Sequence, residues 1–153
     1  MAGGIGPRRR ARECALQILF SLDLNGGLTP PQALAHFWKD FAHEVRPASD
    51  EDGEPPREVV AFAEALVRGT VENIGEIDAT IQRASKNWRL ERMARVDRNV
   101  LRLATYELAH APEVPAKVVI NEAIEVAKRY GAAESAAFVN GLLDRIAQEL
   151  KRS

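Results

Sequence analysis

The chain has 153 residues, 46% hydrophobic and 28% charged, so it is long enough to bury a core and too apolar to be largely disordered. A single cysteine and three scattered histidines exclude a disulfide framework and a zinc knuckle, and no metal or cofactor is expected. The net charge is −1, and because neither a signal peptide nor an apolar run of about 18 residues is present, we expect a cytoplasmic protein.

The first third of the chain predicts two helices and a loop. Apolar residues recur at three- and four-residue steps from Pro7 to Leu24, and the pattern stops at Asn25-Gly26-Gly27. Thr29 is placed to cap a second helix that starts with two prolines. An acidic, proline-rich stretch follows, so we predict an acidic loop over residues 45–57.

Helical periodicity continues through the rest of the chain. From Arg57 to Trp88 it is interrupted by Gly69 and Gly75, and we place a break near Gly75. Residues 117–120 are also compatible with a short strand, but no partner strand exists, so we predict helix there. The three C-terminal helices are predicted at residues 91–111, 115–130 and 134–150.

These elements predict an all-α fold of about seven helices in two packed helical bundles. We expect one domain over residues 1–153, with helical subdomains at about 7–75 and 76–151. The sequence contains no Gly-rich phosphate-binding loop, no GxSxG and no HExxH, so we predict that the protein is not an enzyme.

Residues 8–12 carry four arginines at the start of the first helix. The positive end of the helix dipole disfavours each cation there by roughly 0.3–1 kcal/mol, which suggests that function outweighs stability. The guanidinium fork matches phosphate oxygens and stacks on unpaired bases, so the segment is a candidate RNA-binding site. A merely solubilising terminus is the alternative.

A second basic region lies in residues 82–102, with seven basic residues and two acidic ones. Arg95, Arg98 and Arg102 share one side of a predicted helix, and Tyr106 continues the row. This stripe is either an RNA-binding surface or a solvated face paired with nearby acids. Three other aromatic residues are predicted to belong to the core: Trp38, Phe62 and Trp88.

Three stretches together resemble the NusB family across nearly the whole chain. They are the segment from Arg8 to Gln17, the segment from Val96 to Leu108, and a C-terminal part with Ile120-Asn121-Glu122-Ala123, Tyr130-Gly131 and Phe138-Val139-Asn140-Gly141. Residues 25–57 carry no family motif. The resemblance implies an all-helical fold and a role in processive antitermination during ribosomal RNA transcription.

The resemblance also implies partners and sites. Members of the family bind the boxA element of nascent RNA together with NusE, a protein of the small ribosomal subunit, within the RNA polymerase antitermination complex. The RNA-binding residues carried over are Arg8, Arg9, Arg10, Arg12, Arg102, Tyr130, Glu134 and Phe138. Phe20 and Asp97 are assigned to the partner side, although Phe20 stands where the family often has tyrosine.

Two rival readings stay open at this point. A NusB-like domain also precedes some ribosomal RNA cytosine methyltransferases; that reading needs a strand-rich, cofactor-binding domain after this one, and we do not expect it. A protein–protein adaptor or homodimer without RNA contact is the second rival. The RNA reading predicts that residues 8–12 and Arg102 converge on one surface. In the C-terminal motif we expect Val139 and Leu142 in the core, Asn140 bonded to a neighbouring backbone, and Gly141 against another helix.

Overall fold

The structure is a computed structural model and describes residues 6–41 and 56–152. The described residues form seven α-helices and one 3-10 turn, with no strand among them. The helices are α1 (Pro7–Leu24), α2 (Pro30–Phe41), α3 (Arg57–Glu72), α4 (Ile74–Ala84), α5 (Arg95–His110), α6 (Ala116–Tyr130) and α7 (Ser135–Glu149). The all-α prediction is therefore confirmed.

Most predicted helix ends lie within two residues of the observed ones. The bounds of α1 are as predicted, and residues 117–120 are helical. The break between α3 and α4 falls at Asn73, two residues before Gly75. The predicted acidic loop at 45–57 lies outside the described residues except for its last two positions.

The start of α5 was predicted wrongly. Residues 90–92 form a 3-10 turn, Met93 is extended, and α5 begins only at Arg95. Leu90 and Met93 are both buried three positions apart, so their spacing imitates the period of an α-helix. A tight turn that points two apolar side chains inward therefore gave the same sequence pattern as another helical turn.

The described chain divides into two compact units between Arg68 and Gly69, and α3 crosses the boundary. In the first unit α1 packs on α2. Thr29 caps α2 as predicted, since its Oγ1 accepts a hydrogen bond from Gln32 N at 3.3 Å while Gln32 Oε1 accepts one from Thr29 N at 3.0 Å. The subdomain limits of 7–75 and 76–151 stay a prediction.

The second unit is built around α5, which packs against α4, α6 and α7. Because neighbours cover it on several sides, α5 buries polar residues such as Asn99 and Glu107 as well as its apolar face. Arg152 closes the unit by donating hydrogen bonds to the carbonyls of Leu108 and Val114, at the C-terminal side of α5.

Candidate functional site: the residues predicted to bind RNA and a partner

The arginine motif occupies the first turns of α1, with no acidic residue in the first turn. Arg8 is exposed, Arg9 and Arg10 are half-buried, and Arg12 is only 6% exposed. The four positions are therefore not equivalent, although the sequence presented them as one group. Arg8, Arg9 and Arg10 have solvent-accessible surface, whereas Arg12 belongs to the interior of its unit.

Phe62 of α3 contacts both ends of this motif. The Cζ atom of Arg8 lies 4.5 Å from the Phe62 ring centroid, and that of Arg12 lies 5.3 Å from it. Arg8 and Arg12 are one helical turn apart, so both reach the same ring. These cation–π contacts offset part of the unfavourable placement of positive charge at the start of α1.

The basic stripe predicted on α5 is not a continuous exposed surface. Arg98 is only 8% exposed and donates a hydrogen bond of 3.4 Å to Leu90 O, whereas Arg95 is exposed. Tyr106 is half-buried, and its ring stacks on the imidazole of His110 with centroids 5.1 Å apart. The prediction failed here because it assumed that one side of α5 faces solvent.

Arg102 lies inside this packed region and holds an acidic partner. Its Nε and Nη2 atoms donate hydrogen bonds of 2.8 and 2.9 Å to the two carboxylate oxygens of Asp78 on α4. The Arg102 side chain is 15% exposed. A fork of this kind orients the guanidinium, so any phosphate that approached Arg102 would compete with Asp78. The predicted convergence of Arg102 with residues 8–12 stays a prediction.

Tyr130, Glu134 and Phe138 surround the short connection between α6 and α7. Tyr130 is the last residue of α6, and the Cζ atom of Arg129 lies 5.4 Å from the centroid of the Tyr130 ring. Glu134 is exposed just before α7, and Phe138 is half-buried in the first turns of α7. Ser135 stabilises the connection, since its Oγ accepts a hydrogen bond of 2.9 Å from Ala132 N.

Trp88 was predicted to be a core residue, and this is wrong: the residue is 53% exposed. It stands in the turn after α4, with its ring centroid 6.4 Å from that of Phe138 and the planes 62° apart. The polar run Ser85-Lys86-Asn87 before it, which breaks the apolar period, was the sequence signal for an exposed turn. Phe62 and Trp38 are half-buried and lie at the edge of the core.

A pocket of about 570 Å³ opens beside this aromatic pair. It is lined by the turn after α4 and by one face of α7, including Gly141 and Arg145. Val139 and Leu142 are buried as predicted, but Asn140 and Gly141 are exposed. A Cβ atom placed on Gly141 meets nothing within 4 Å, so the expectation of a closely packed helix is wrong.

The two residues assigned to the partner side lie on different helices. Phe20 is half-buried on α1. Asp97 stands in the first turn of α5, where the helix dipole favours an acid. Its Oδ1 atom is buried and accepts no hydrogen bond from the described residues. A buried carboxylate oxygen without a donor is unusual, and a donor from another molecule could complete it.

Neither a metal-binding cluster nor a membrane-spanning helix is found in the described part of the chain. Within residues 6–41 and 56–152 no group of three or more His, Cys, Asp or Glu side chains could hold a metal ion. None of the helices in those ranges has the length and apolar character needed to cross a bilayer.

Comparisons with known proteins identify what this arrangement is similar to. A model described as the NusB family matches residues 9–148. The transcription antitermination protein NusB of Sorangium cellulosum is 49% identical over 148 residues, which cover 97% of this chain and 96% of the relative. That of Myxococcus xanthus is 46% identical over 148 residues, covering 97% and 99%.

Solved structures agree with the sequence comparison. The structure of T. maritima NusB has a TM-score of 0.79 and 40% identity, covering 95% of this chain and 94% of that one. A structure of antitermination factors NusB and NusE in complex with dsRNA has a TM-score of 0.78 and 26% identity, covering 94% and 97%. The similarity thus extends along nearly the whole chain.

Proposed function

Because the chain belongs to the NusB family, we propose that it is a transcription antitermination factor that acts in ribosomal RNA synthesis and binds boxA RNA together with NusE. The observation that carries the proposal is 49% identity to a transcription antitermination protein over 97% of the chain. The family is non-enzymatic, and the protein acts by binding rather than by catalysis.

The RNA side of the proposal rests on the start of α1. Four arginines crowd a helix end that disfavours positive charge, and Arg8, Arg9 and Arg10 keep solvent-accessible surface. Phosphate groups of single-stranded RNA supply the negative charge that this end attracts. Arg102, Tyr130, Glu134 and Phe138 complete the proposed RNA side.

The NusE side of the proposal rests on Asp97 and Phe20. The buried Oδ1 atom of Asp97 has a free acceptor site among the described residues, which a donor from NusE would fill. Phe20 offers a half-buried apolar ring without the hydroxyl of tyrosine. We place this activity in the cytoplasm, as part of the RNA polymerase antitermination complex. A homodimer or an adaptor without RNA contact is the alternative.

A titration with labelled RNA tests the proposal. With NusE present, fluorescence anisotropy should show tighter binding to a boxA oligonucleotide than to a scrambled strand of equal length. Replacing Arg9 and Arg10 by alanine should lower the slope of log affinity against log salt by about 0.7 for each lost phosphate contact.

The control replaces Arg57 and Arg68, two exposed arginines of α3 outside the motif, and removes the same charge. It should leave the slope unchanged. Equal affinity for the boxA and scrambled strands, or an unchanged slope in a normally helical Arg9→Ala/Arg10→Ala variant, contradicts the proposal.

A further inference from the structure

The pocket beside Trp88 and Phe138 is a surface that the fold leaves unfilled. Exposed tryptophan is costly in water, and here more than half of the residue's surface is accessible. The backbone of the turn that carries the ring is nonetheless fixed. Gln82 Nε2 and Ser85 Oγ each donate a hydrogen bond of 2.9 Å to the Trp88 carbonyl.

Gln82 fixes both ends of the same turn. Its Nε2 atom also donates to Ser85 O at 3.1 Å, and its Oε1 atom accepts a hydrogen bond of 2.9 Å from Leu90 N. The backbone on both sides of Trp88 is therefore tied to a single side chain of α4. An aromatic ring on such a braced turn loses little conformational entropy when a ligand stacks on it.

Gly141 gives a second, independent observation. A glycine inside a helix costs about 1 kcal/mol relative to alanine, and it is usually kept where another group needs the space of its Cβ. No atom lies within 4 Å of that space here, so the fold itself does not require glycine. An occupant of the pocket that approaches the backbone of α7 would require it.

The charge of the lining identifies the occupant. Lys86 and Arg145 are the charged residues among the described residues that line the pocket, and no carboxylate lines it. Arg145 is oriented by a hydrogen bond of 3.3 Å to Ala84 O. The volume of the pocket, about 570 Å³, is within the range of small-ligand sites. Aromatic rings flanked by cations are typical of sites for unpaired nucleotides.

We infer that this pocket binds one unpaired base of single-stranded RNA, stacked on Trp88, with Phe138 at its edge and Lys86 and Arg145 near the adjoining phosphates. The planes of the two rings are 62° apart, so a base that stacks on Trp88 meets Phe138 at an angle and is not sandwiched between parallel rings. The inference rests on the proposed RNA-binding function and adds Trp88, Gly141 and Arg145 to its site.

The test compares three variants for binding to boxA RNA in the presence of NusE. Trp88→Ala removes the stacking surface and should weaken binding about 5- to 150-fold, the range for one lost base stack. The salt slope should stay unchanged, since no phosphate contact is removed. Trp88→Phe keeps an aromatic ring and should recover part of the affinity.

Gly141→Ala tests the pocket without removing any contact. It adds one methyl group to the open space and should weaken RNA binding at least threefold while the melting temperature stays equal or rises. Gly75→Ala is the matched control, because its added Cβ also meets nothing within 4 Å and Gly75 does not line the pocket. It should leave RNA affinity unchanged.

The outcomes separate this inference from the proposed function. If wild-type protein binds boxA RNA and both Trp88→Ala and Gly141→Ala bind equally well, the inference is wrong and the function stands. If Trp88→Ala loses affinity for NusE in the absence of RNA, the pocket holds a protein partner and the inference is also wrong. If wild-type protein with NusE does not bind RNA, both the inference and the proposed function are wrong.

Discussion

Gly69 of α3 allows the ring of Tyr106 on α5 to pack closely against the backbone of α3 in the second unit. A Cβ atom on Gly69 would lie 2.2 Å from Tyr106 Cζ and 2.3 Å from its hydroxyl oxygen. The glycine in the last part of α3 therefore provides the space in which the aromatic ring of α5 packs. The stacked imidazole of His110 supports the ring on α5 itself.

Replacing Gly69 by alanine should destabilise the protein by about 1–3 kcal/mol, because the tyrosine ring must move out of a packed site. The better helix propensity of alanine offsets at most about 1 kcal/mol of this cost. Urea unfolding of Gly69→Ala and of the control Gly75→Ala, whose Cβ has open space, measures the difference.

A double-mutant cycle identifies the cause of the loss. In a Tyr106→Ala background, Gly69→Ala should be neutral or stabilising, since the obstructing ring is gone. Equal losses in both backgrounds would contradict the explanation.

At the same scale, the sequence could reveal types of residues but not their neighbours. Gly69 was visible as an interruption of a helical pattern, but its reason lies in Tyr106, which is 37 positions away. General burial preference predicts Trp88 in the core, and helical spacing predicts Arg98 in an exposed basic stripe, either RNA-binding or solvated. The structure reverses both assignments, because exposure depends on which elements cover a helix or turn.

Among the elements, α5 determines how the second unit is organised. Helices α4, α6 and α7 all pack on it, so polar residues such as Asn99 and Glu107 are buried inside the unit. The fork between Arg102 and Asp78 connects α5 to α4 at a site where the two side chains are 15% and 27% exposed. Hydrogen bonds to charged groups contribute about 1.5–3 kcal/mol each to the free energy of unfolding.

Asp78→Asn should therefore lower the free energy of unfolding by about 1–3 kcal/mol, because Arg102 loses the negative charge of its partner while its side chain stays largely buried. It should also strengthen RNA binding if Arg102 contacts phosphate, because the competing carboxylate is gone. The exposed Asp144→Asn variant removes the same charge from α7 and serves as the control. If Asp78→Asn is less stable but binds RNA with the same affinity as Asp144→Asn, Arg102 does not contact RNA.

The helices themselves followed from periodicity and from stop signals. The end of α1 before Asn25, the cap at Thr29 and the end of α6 at Gly131 all involve local chemistry that the sequence displays. The turn at residues 90–92 could not be recognised, because its two buried apolar residues keep helical spacing. The candidate site residues lie on the helices and connections predicted for them, but their burial was not predictable from one helix alone.

For the whole molecule, the charge balance sets the requirement for a partner. A net charge of −1 gives little long-range attraction for a polyanion, so affinity must come from local arginine contacts and stacking. Arg12 is buried and Arg102 is held by Asp78, which reduces the arginines available at the surface. We therefore expect weak binding to RNA by the protein alone and stronger binding when NusE extends the contact surface.

The coupling between NusE and boxA RNA tests this account most directly. The dissociation constant for RNA is measured with and without NusE, and that for NusE with and without RNA. We predict that each ligand tightens the binding of the other by the same factor, about 5- to 150-fold, as linkage requires. RNA affinity that is identical with and without NusE would contradict the account.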